Sequence, residues 1–185
     1  KNIKIVSPSD KLNKKADIYI ENGIIKEIGK VNKSNVETID GKNLTCVPGL
    51  FDMHVHFREP GQTHKEDIET GCESAMNGGF TGVTMMPNTN PAIDNPKLIK
   101  NLLSENKNTL IDITTTACIT QKREGKKITD IKALHKAGAV AFTDDGSPVA
   151  NPLLVRRSME ELSGVGSLFV QHAEDMILSD GGVMN

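Results

Sequence analysis

From Leu50 onward, short apolar runs alternate with amphipathic segments at a regular interval. The runs start at Leu50, Thr81, Leu110, Ala139 and Ser167, so successive steps are 31, 29, 29 and 28 residues. A strand, a helix and two loops fill such a step, and repeated βα units place their strands in one parallel sheet. The segments between the runs carry helix signals. Thr63 and Glu66 have capping-box spacing ahead of an apolar face of Ile68, Cys72, Ala75 and Met76, and Gly78-Gly79 closes it. Asn95 stands before Pro96 and a stripe of Leu98, Ile99, Leu102 and Leu103. A third helix, from about Thr129, turns Ile131 and Leu134 inward and closes at Gly138. A fourth begins at Asn151-Pro152, points Leu154, Val155, Met159 and Leu162 to the core, and closes at Gly164.

The region before Leu50 has another grammar. Residues 3–6, 17–20, 24–28 and 36–39 are β-branched stretches separated by turn signals such as Glu21-Asn22-Gly23 and Asp40-Gly41. They predict a small antiparallel sheet over residues 1–47, with Pro48-Gly49 as the hinge out of it. The expected architecture is therefore α/β: a β-rich, incomplete domain over 1–47, then βα units over 48–185. Five strands and four helices fall short of a closed (β/α)8 barrel, which takes ~250 residues. The chain is expected either to form an open sheet or to be the first part of such a barrel, stopping after about five strands. The residues at the strand ends favour the barrel.

Composition narrows the function classes. The 185 residues carry 22 Lys+Arg against 24 Asp+Glu, and 22 − 24 gives a formal charge of −2. A nucleic-acid binder or a membrane-surface protein needs a basic excess, so neither is expected. No apolar run approaches the ~18 residues of a membrane span, and the first residues lack the apolar core of a secretory signal. Cys46, Cys72 and Cys118 are odd in number and far apart, which reads as reduced thiols rather than a disulfide frame. A cytoplasmic protein is expected.

Chemistry concentrates where the strands end. In Asp52-Met53-His54-Val55-His56-Phe57-Arg58-Glu59-Pro60-Gly61, His54 and His56 are two apart in a strand and project from one face. Two imidazoles supply half of a tetrahedral set for zinc or a related metal. The fourth strand runs into Thr143-Asp144-Asp145-Gly146, and the fifth into Gln171-His172-Ala173-Glu174-Asp175. His54, His56, one carboxylate of the Asp144/Asp145 pair and His172 would converge at the barrel mouth, where barrel enzymes keep their active sites. The carboxylates could equally be turn residues. The second strand ends in Met86-Pro87-Asn88-Thr89-Asn90-Pro91, where Asn88 could orient a substrate beside Arg58, whose planar fork suits a carboxylate. Asn88 and Asn90 could also simply hold the turn. His64 and His135 fall at a helix start and on a helix and read as solvated. Cys118 could ligate zinc but reads better as a small buried residue.

These motifs, from PGLFDMHVHFREPGQTHKEDIETG and GGFTGVTMMPNTNP to GAVAFTDDGSP and QHAED, resemble the amidohydrolase superfamily and, more closely, the type I dihydroorotases, over the whole chain. The resemblance implies a metal-dependent hydrolase barrel with one or two zinc ions. His54, His56, Asp145 and His172 would be metal positions, Asp145 standing where many relatives carry a carboxylated lysine. Arg58 and Asn88, with His56 beside them, would hold the substrate. The implied reaction is the reversible interconversion of N-carbamoyl-L-aspartate and dihydroorotate in pyrimidine biosynthesis. The family's sixth-strand His and eighth-strand catalytic Asp are expected beyond residue 185, so these residues alone should be inactive. Homo-oligomerisation or association with aspartate transcarbamoylase is a further expectation of the resemblance. Two other readings differ in class from a dihydroorotase. An allantoinase or dihydropyrimidinase would normally use the carboxylated lysine and lack the Arg-plus-Asn pair. A non-catalytic, partner-binding scaffold would tend to lose the His pair.

Overall fold

Two compact units divide the chain at Gly49–Leu50 in a computed structural model, which describes residues 1–180 and 182. In the first unit, β1 (Ile3–Ser7), β2 (Leu12–Glu21), β3 (Ile24–Gly29) and β4 (Thr45–Cys46) form one sheet in the order β3-β2-β1-β4. The β2–β3 hairpin turns on Asn22 and Gly23, both at positive φ, 52° and 73°, the turn chemistry that matches strand twist. β1–β2 and β2–β3 are antiparallel, but β4 runs parallel to β1, so the sheet is mixed rather than wholly antiparallel. Residues 36–39 form no strand, contrary to their composition. Thr45–Cys46 takes the free edge of β1 instead, and the Ile39 carbonyl accepts from the Lys1 ammonium at 2.6 Å. Ile39 itself is 76 % exposed.

In the second unit, five strands lie in sequential order, all parallel: β5 (Leu50–Val55), β6 (Phe80–Met85), β7 (Asp112–Ala117), β8 (Ala139–Phe142) and β9 (Leu168–Phe169). The helices α1 (Ile68–Asn77), α2 (Pro96–Glu105), α3 (Ile131–Ala137) and α4 (Pro152–Val165) connect them. The sheet curls into a half-barrel. Its core lies between strands and helices, where Val83, Met85, Ile99, Ile131, Leu134 and Phe142 are wholly buried. Each such side chain contributes roughly 1.5–3 kcal/mol of hydrophobic stabilisation.

The caps set where the helices begin and end. The side chains of Asn95 and Asn151 accept from the backbone N–H groups of the first turns of α2 and α4, with Pro96 and Pro152 as first residues. Asp130 caps α3, and Gly138 closes it in the left-handed region. Two helix ends differ from expectation. α4 runs on to Val165 and closes at Gly166, φ 68°, because Gly164 stays helical. α1 is capped by Asp67, not Thr63: the Asp67 carboxylate accepts from Thr70 N–H at 2.9 Å, and Glu59 Oε2 accepts from Ile68 N–H at 3.1 Å. Those two carboxylates satisfy first-turn amides, so residues 61–67 remain a loop. Met76 and Met159, expected inside, are 43 % and 54 % exposed, lying at the margins of their helices' apolar faces. His64 is exposed in a turn, whereas His135 is half-buried with its Nδ1 enclosed and unpartnered among the described residues, so it is not the solvated group expected.

Close approach at one glycine sets the first loop against the second. A Cβ at Gly61, φ 92°, would lie 1.9 Å from the Asn90 carbonyl oxygen. Only glycine permits this contact, which lets Asn90 N–H donate to the Pro60 carbonyl at 3.0 Å. The loop after β5 and the loop after β6 are thereby tied together beside Arg58 and Asn88.

Candidate metal centre

Because the five strands are parallel, their C-terminal ends share one rim, and the chemistry-bearing residues recur there at a constant offset. Asn88, Thr120, Asp145 and His172 are each the third residue past β6, β7, β8 and β9, which end at positions 85, 117, 142 and 169. β5 contributes His54 within the strand and His56 just past it. Their rings meet edge to face with centroids 5.1 Å apart. That places both imidazoles on one side of the strand, despite a register irregularity between Asp52 and Val55.

The imidazoles face one carboxylate. His54 Nε2 is 3.4 Å from Asp145 Oδ1, and His56 Nε2 is 3.5 Å from Asp145 Oδ2. One ligand atom from each of the three residues fits within 4.8 Å of the others. Donor–donor spacings of about 3.3–3.4 Å follow from tetrahedral zinc bonds of ~2.0–2.1 Å, so small side-chain shifts would bring the three donors to the spacing such an ion requires. The Asp145 side chain is only 11 % exposed, so its charge is shielded from water and faces the ring nitrogens. His172 stands at the margin. Its Nδ1 is 3.8 Å from Asp145 Oδ1, while its Nε2 is 3.1 Å from Glu174 Oε2. The tight group is thus His54, His56 and Asp145, with His172 adjacent.

Asn88 joins two members of the group. Its Nδ2 donates to Asp145 Oδ2 at 3.2 Å, and its Oδ1 lies 3.0 Å from His56 Nδ1. An amide whose nitrogen faces a carboxylate must offer its oxygen to the imidazole. One lone pair and one N–H of Asn88 remain for another contact. The Arg58 carbonyl accepts from Gln62 N–H, but its guanidinium has no hydrogen-bond or ion-pair partner among the described residues. Glu59, the neighbour that could have neutralised it, is turned to the N-terminus of α1. Asn90 is engaged through its backbone. Cys118 is buried, its Sγ 3.9 Å from the Pro87 carbonyl, and burial, reinforced by the nearby Asp144 and Asp94 charges, pushes its thiol far up. It lies outside the cluster.

The two adjacent carboxylates have opposite fates. Asp144 is 2 % exposed and turns back to the loop after β7, accepting from Thr120 N–H at 3.0 Å and from the Thr120 hydroxyl. Burial raises its carboxyl above the usual range, and the Thr120 donors oppose that shift. Asp145 turns to the imidazoles, its N–H donating to Thr143 Oγ1 at 3.0 Å. Thr120 and Arg123 were not singled out from the sequence. The constant offset past the strand ends would have found Thr120; Arg123 acts on backbone carbonyls and leaves no side-chain pattern.

A family described as Dihydro-orotase-like matches residues 43–185. The chain belongs to that family. A dihydroorotase of Carboxydothermus hydrogenoformans is 44 % identical over 186 residues, covering 100 % of this chain and 43 % of the relative. One from Aquifex aeolicus is 45 % identical, covering 98 % of this chain and 43 % of the relative. The chain therefore spans less than half the length of these family members. Among solved structures, L-hydantoinase (dihydropyrimidinase) from Arthrobacter aurescens superposes with a TM-score of 0.72 at 24 % identity, over 95 % of this chain and 40 % of that one. A dihydroorotase crystal structure gives 0.59 at 14 % identity, over 94 % and 50 %. Both likenesses concern the fold alone.

Proposed function

We propose that this chain carries part of the active site of a zinc-dependent dihydroorotase, which interconverts N-carbamoyl-L-aspartate and dihydroorotate in pyrimidine biosynthesis. The observation that supports it most is the meeting of His54, His56 and Asp145 at the shared rim of a parallel half-barrel, in a chain of this family. His54 and His56 would hold a zinc ion through their Nε2 atoms and Asp145 through its carboxylate, with His172 able to join at the same side. Zinc bound there would supply Lewis-acid character and a nucleophile at neutral pH. Arg58 presents two parallel N–H groups to the substrate carboxylate, and the spare amide capacity of Asn88 orients it from the neighbouring loop. That clamp aligns the scissile amide with the rim before any bond changes. The buried wall of Asp144, Thr120 and Thr143 excludes water from behind Asp145.

Metal content and turnover of the intact protein test this reading. At least one tightly held zinc per chain and turnover of N-carbamoyl-L-aspartate are expected. Turnover of hydantoin or dihydrouracil but not carbamoyl-aspartate would move the substrate class to the dihydropyrimidinases, and absence of bound metal would overturn the reading altogether.

A further inference from the structure

Asp145 owes its direction to a segment outside the rim's side chains. After β7 the chain makes a closed loop: Thr120 and Ile128 form an isolated antiparallel bridge, Gln121 N–H donates to the Lys127 carbonyl at 2.8 Å, and Thr129 N–H donates to the Ile119 carbonyl at 2.9 Å. Within it Lys122 and Arg123 both sit at positive φ, 54° and 59°. Non-glycine residues seldom adopt this conformation, and it persists where surrounding contacts over-determine it. Lys122 N–H donates to Asp94 Oδ2 at 2.9 Å, which helps hold the bend.

The bend aims Arg123 at the backbone that carries Asp145. Its Nη2 donates to the Asp145 carbonyl at 2.5 Å and to Ser147 Oγ at 3.3 Å, and its Nε lies 3.4 Å from the Asp144 carbonyl. The same loop reaches Asp144 through Thr120, whose N–H and hydroxyl take both carboxylate oxygens. The Thr120 oxygen in turn accepts from Gly125 N–H at 2.9 Å. One loop therefore grips the Asp144–Asp145 pair by one side chain and two carbonyls, leaving only the Asp145 carboxylate free to face His54 and His56.

We infer that Arg123 is a positioning residue for the metal centre: by clamping the Asp144 and Asp145 carbonyls it holds the Asp145 carboxylate between His54 and His56 and so sets metal affinity. The inference rests on the metal reading above. It makes a prediction of sign. As a bare charge near the site, a guanidinium repels a divalent cation, so its removal would tighten zinc binding. As a clamp, its removal loosens a ligand, and loss of such an outer support typically weakens metal binding 10- to 100-fold.

The test is zinc affinity by chelator competition in the intact protein, with Arg123→Ala, Arg123→Lys and Thr120→Val beside the parent. Cobalt-loaded protein gives a second readout through its visible ligand-field bands, which report coordination geometry without turnover. Zinc binding weakened on the order of 10-fold or more in Arg123→Ala, with altered cobalt bands, is expected. Arg123→Lys should recover little, because one ammonium cannot span both carbonyls. Should Arg123→Ala fail to fold, Arg123→Lys and Thr120→Val carry the same expectation. Unchanged or tighter zinc binding in the folded variants, with only thermal stability lowered, would overturn the inference while leaving the metal reading intact. A parent protein without metal would overturn both.

Discussion

The amide of Asn88 fixes which nitrogen of His56 carries the proton. Because Asn88 Nδ2 donates to Asp145 at 3.2 Å, its oxygen must accept the His56 Nδ1 proton at 3.0 Å. In the neutral imidazole the lone pair is then left on Nε2, the nitrogen that faces Asp145 at 3.5 Å. A residue expected to touch substrate is thus also the support that prepares a ligand. Asn88→Ala should weaken zinc binding by about 10- to 100-fold, measured by chelator competition with no substrate present. An unchanged zinc affinity would mean the imidazole keeps this tautomer without help.

Arg58 separates carboxylate recognition from loop bracing. With no side-chain partner among the described residues, its guanidinium is free to meet an anion, and a paired surface Arg would be worth only ~0–1 kcal/mol. Arg58→Lys keeps the charge and loses the fork. Transition-state stabilisation for carbamoyl-aspartate should fall by about 2–4 kcal/mol in kcat/KM while zinc content and melting temperature hold. Parent-like kcat/KM in the lysine variant would exclude a bidentate contact.

The cysteines should report burial. Cys72 and Cys118 are buried, and burial raises both thiols, so neither has appreciable thiolate near pH 8 in the folded protein. Cys46 is half-buried. Timed alkylation with mass mapping should modify Cys46 first, and the other two only with denaturant. Early labelling of Cys118 would place it at an accessible surface.

Acid should loosen α1 before the core. The Thr70 N–H and hydroxyl hold the Asp67 carboxyl below its usual range. A carboxyl depressed by folding contributes stability above its unfolded pKa and loses it as pH falls through the folded value. Amide protection in the first turn of α1, referred to the intrinsic exchange rate at each pH, should therefore fall at acid pH, and Asp67→Asn, which still caps, should flatten that dependence. At the uncharged caps, Asn151→Ala should cost about 1 kcal/mol at all pH values. Equal acid sensitivity in Asp67→Asn would assign the effect to another group.

Periodicity was legible where burial enforces it. The strand starts at Leu50 and Ala139 coincide with the expected positions, and those near 81, 110 and 167 fall within two residues of them, because each apolar run must reach the same core. Competing local partners explain the misses. Thr63 has the spacing of a cap, but Glu59 and Asp67 reach the amides first. Residues 36–39 have strand composition, but Thr45–Cys46 takes the edge of β1. At the rim, candidate donors were legible because imidazoles and carboxylates are rare in apolar strand ends. The choice between Asp144 and Asp145 was not, since it turns on Thr120 and Arg123, which come from a different βα unit.

The donors of the rim cluster come from β5 and from the turn after β8, about half the chain apart. Between them three parallel crossovers must close, each at an entropic cost that rises slowly with loop length. No short peptide containing His54 and His56 can present the third donor. An ion held there therefore could not seed this chain as it seeds a small zinc module; it would be captured late, after β5 through β8 have aligned. Metal uptake in a refolding experiment should accordingly trail the appearance of parallel-sheet protection, and the ion would act as a latch on a finished sheet rather than a template for making one.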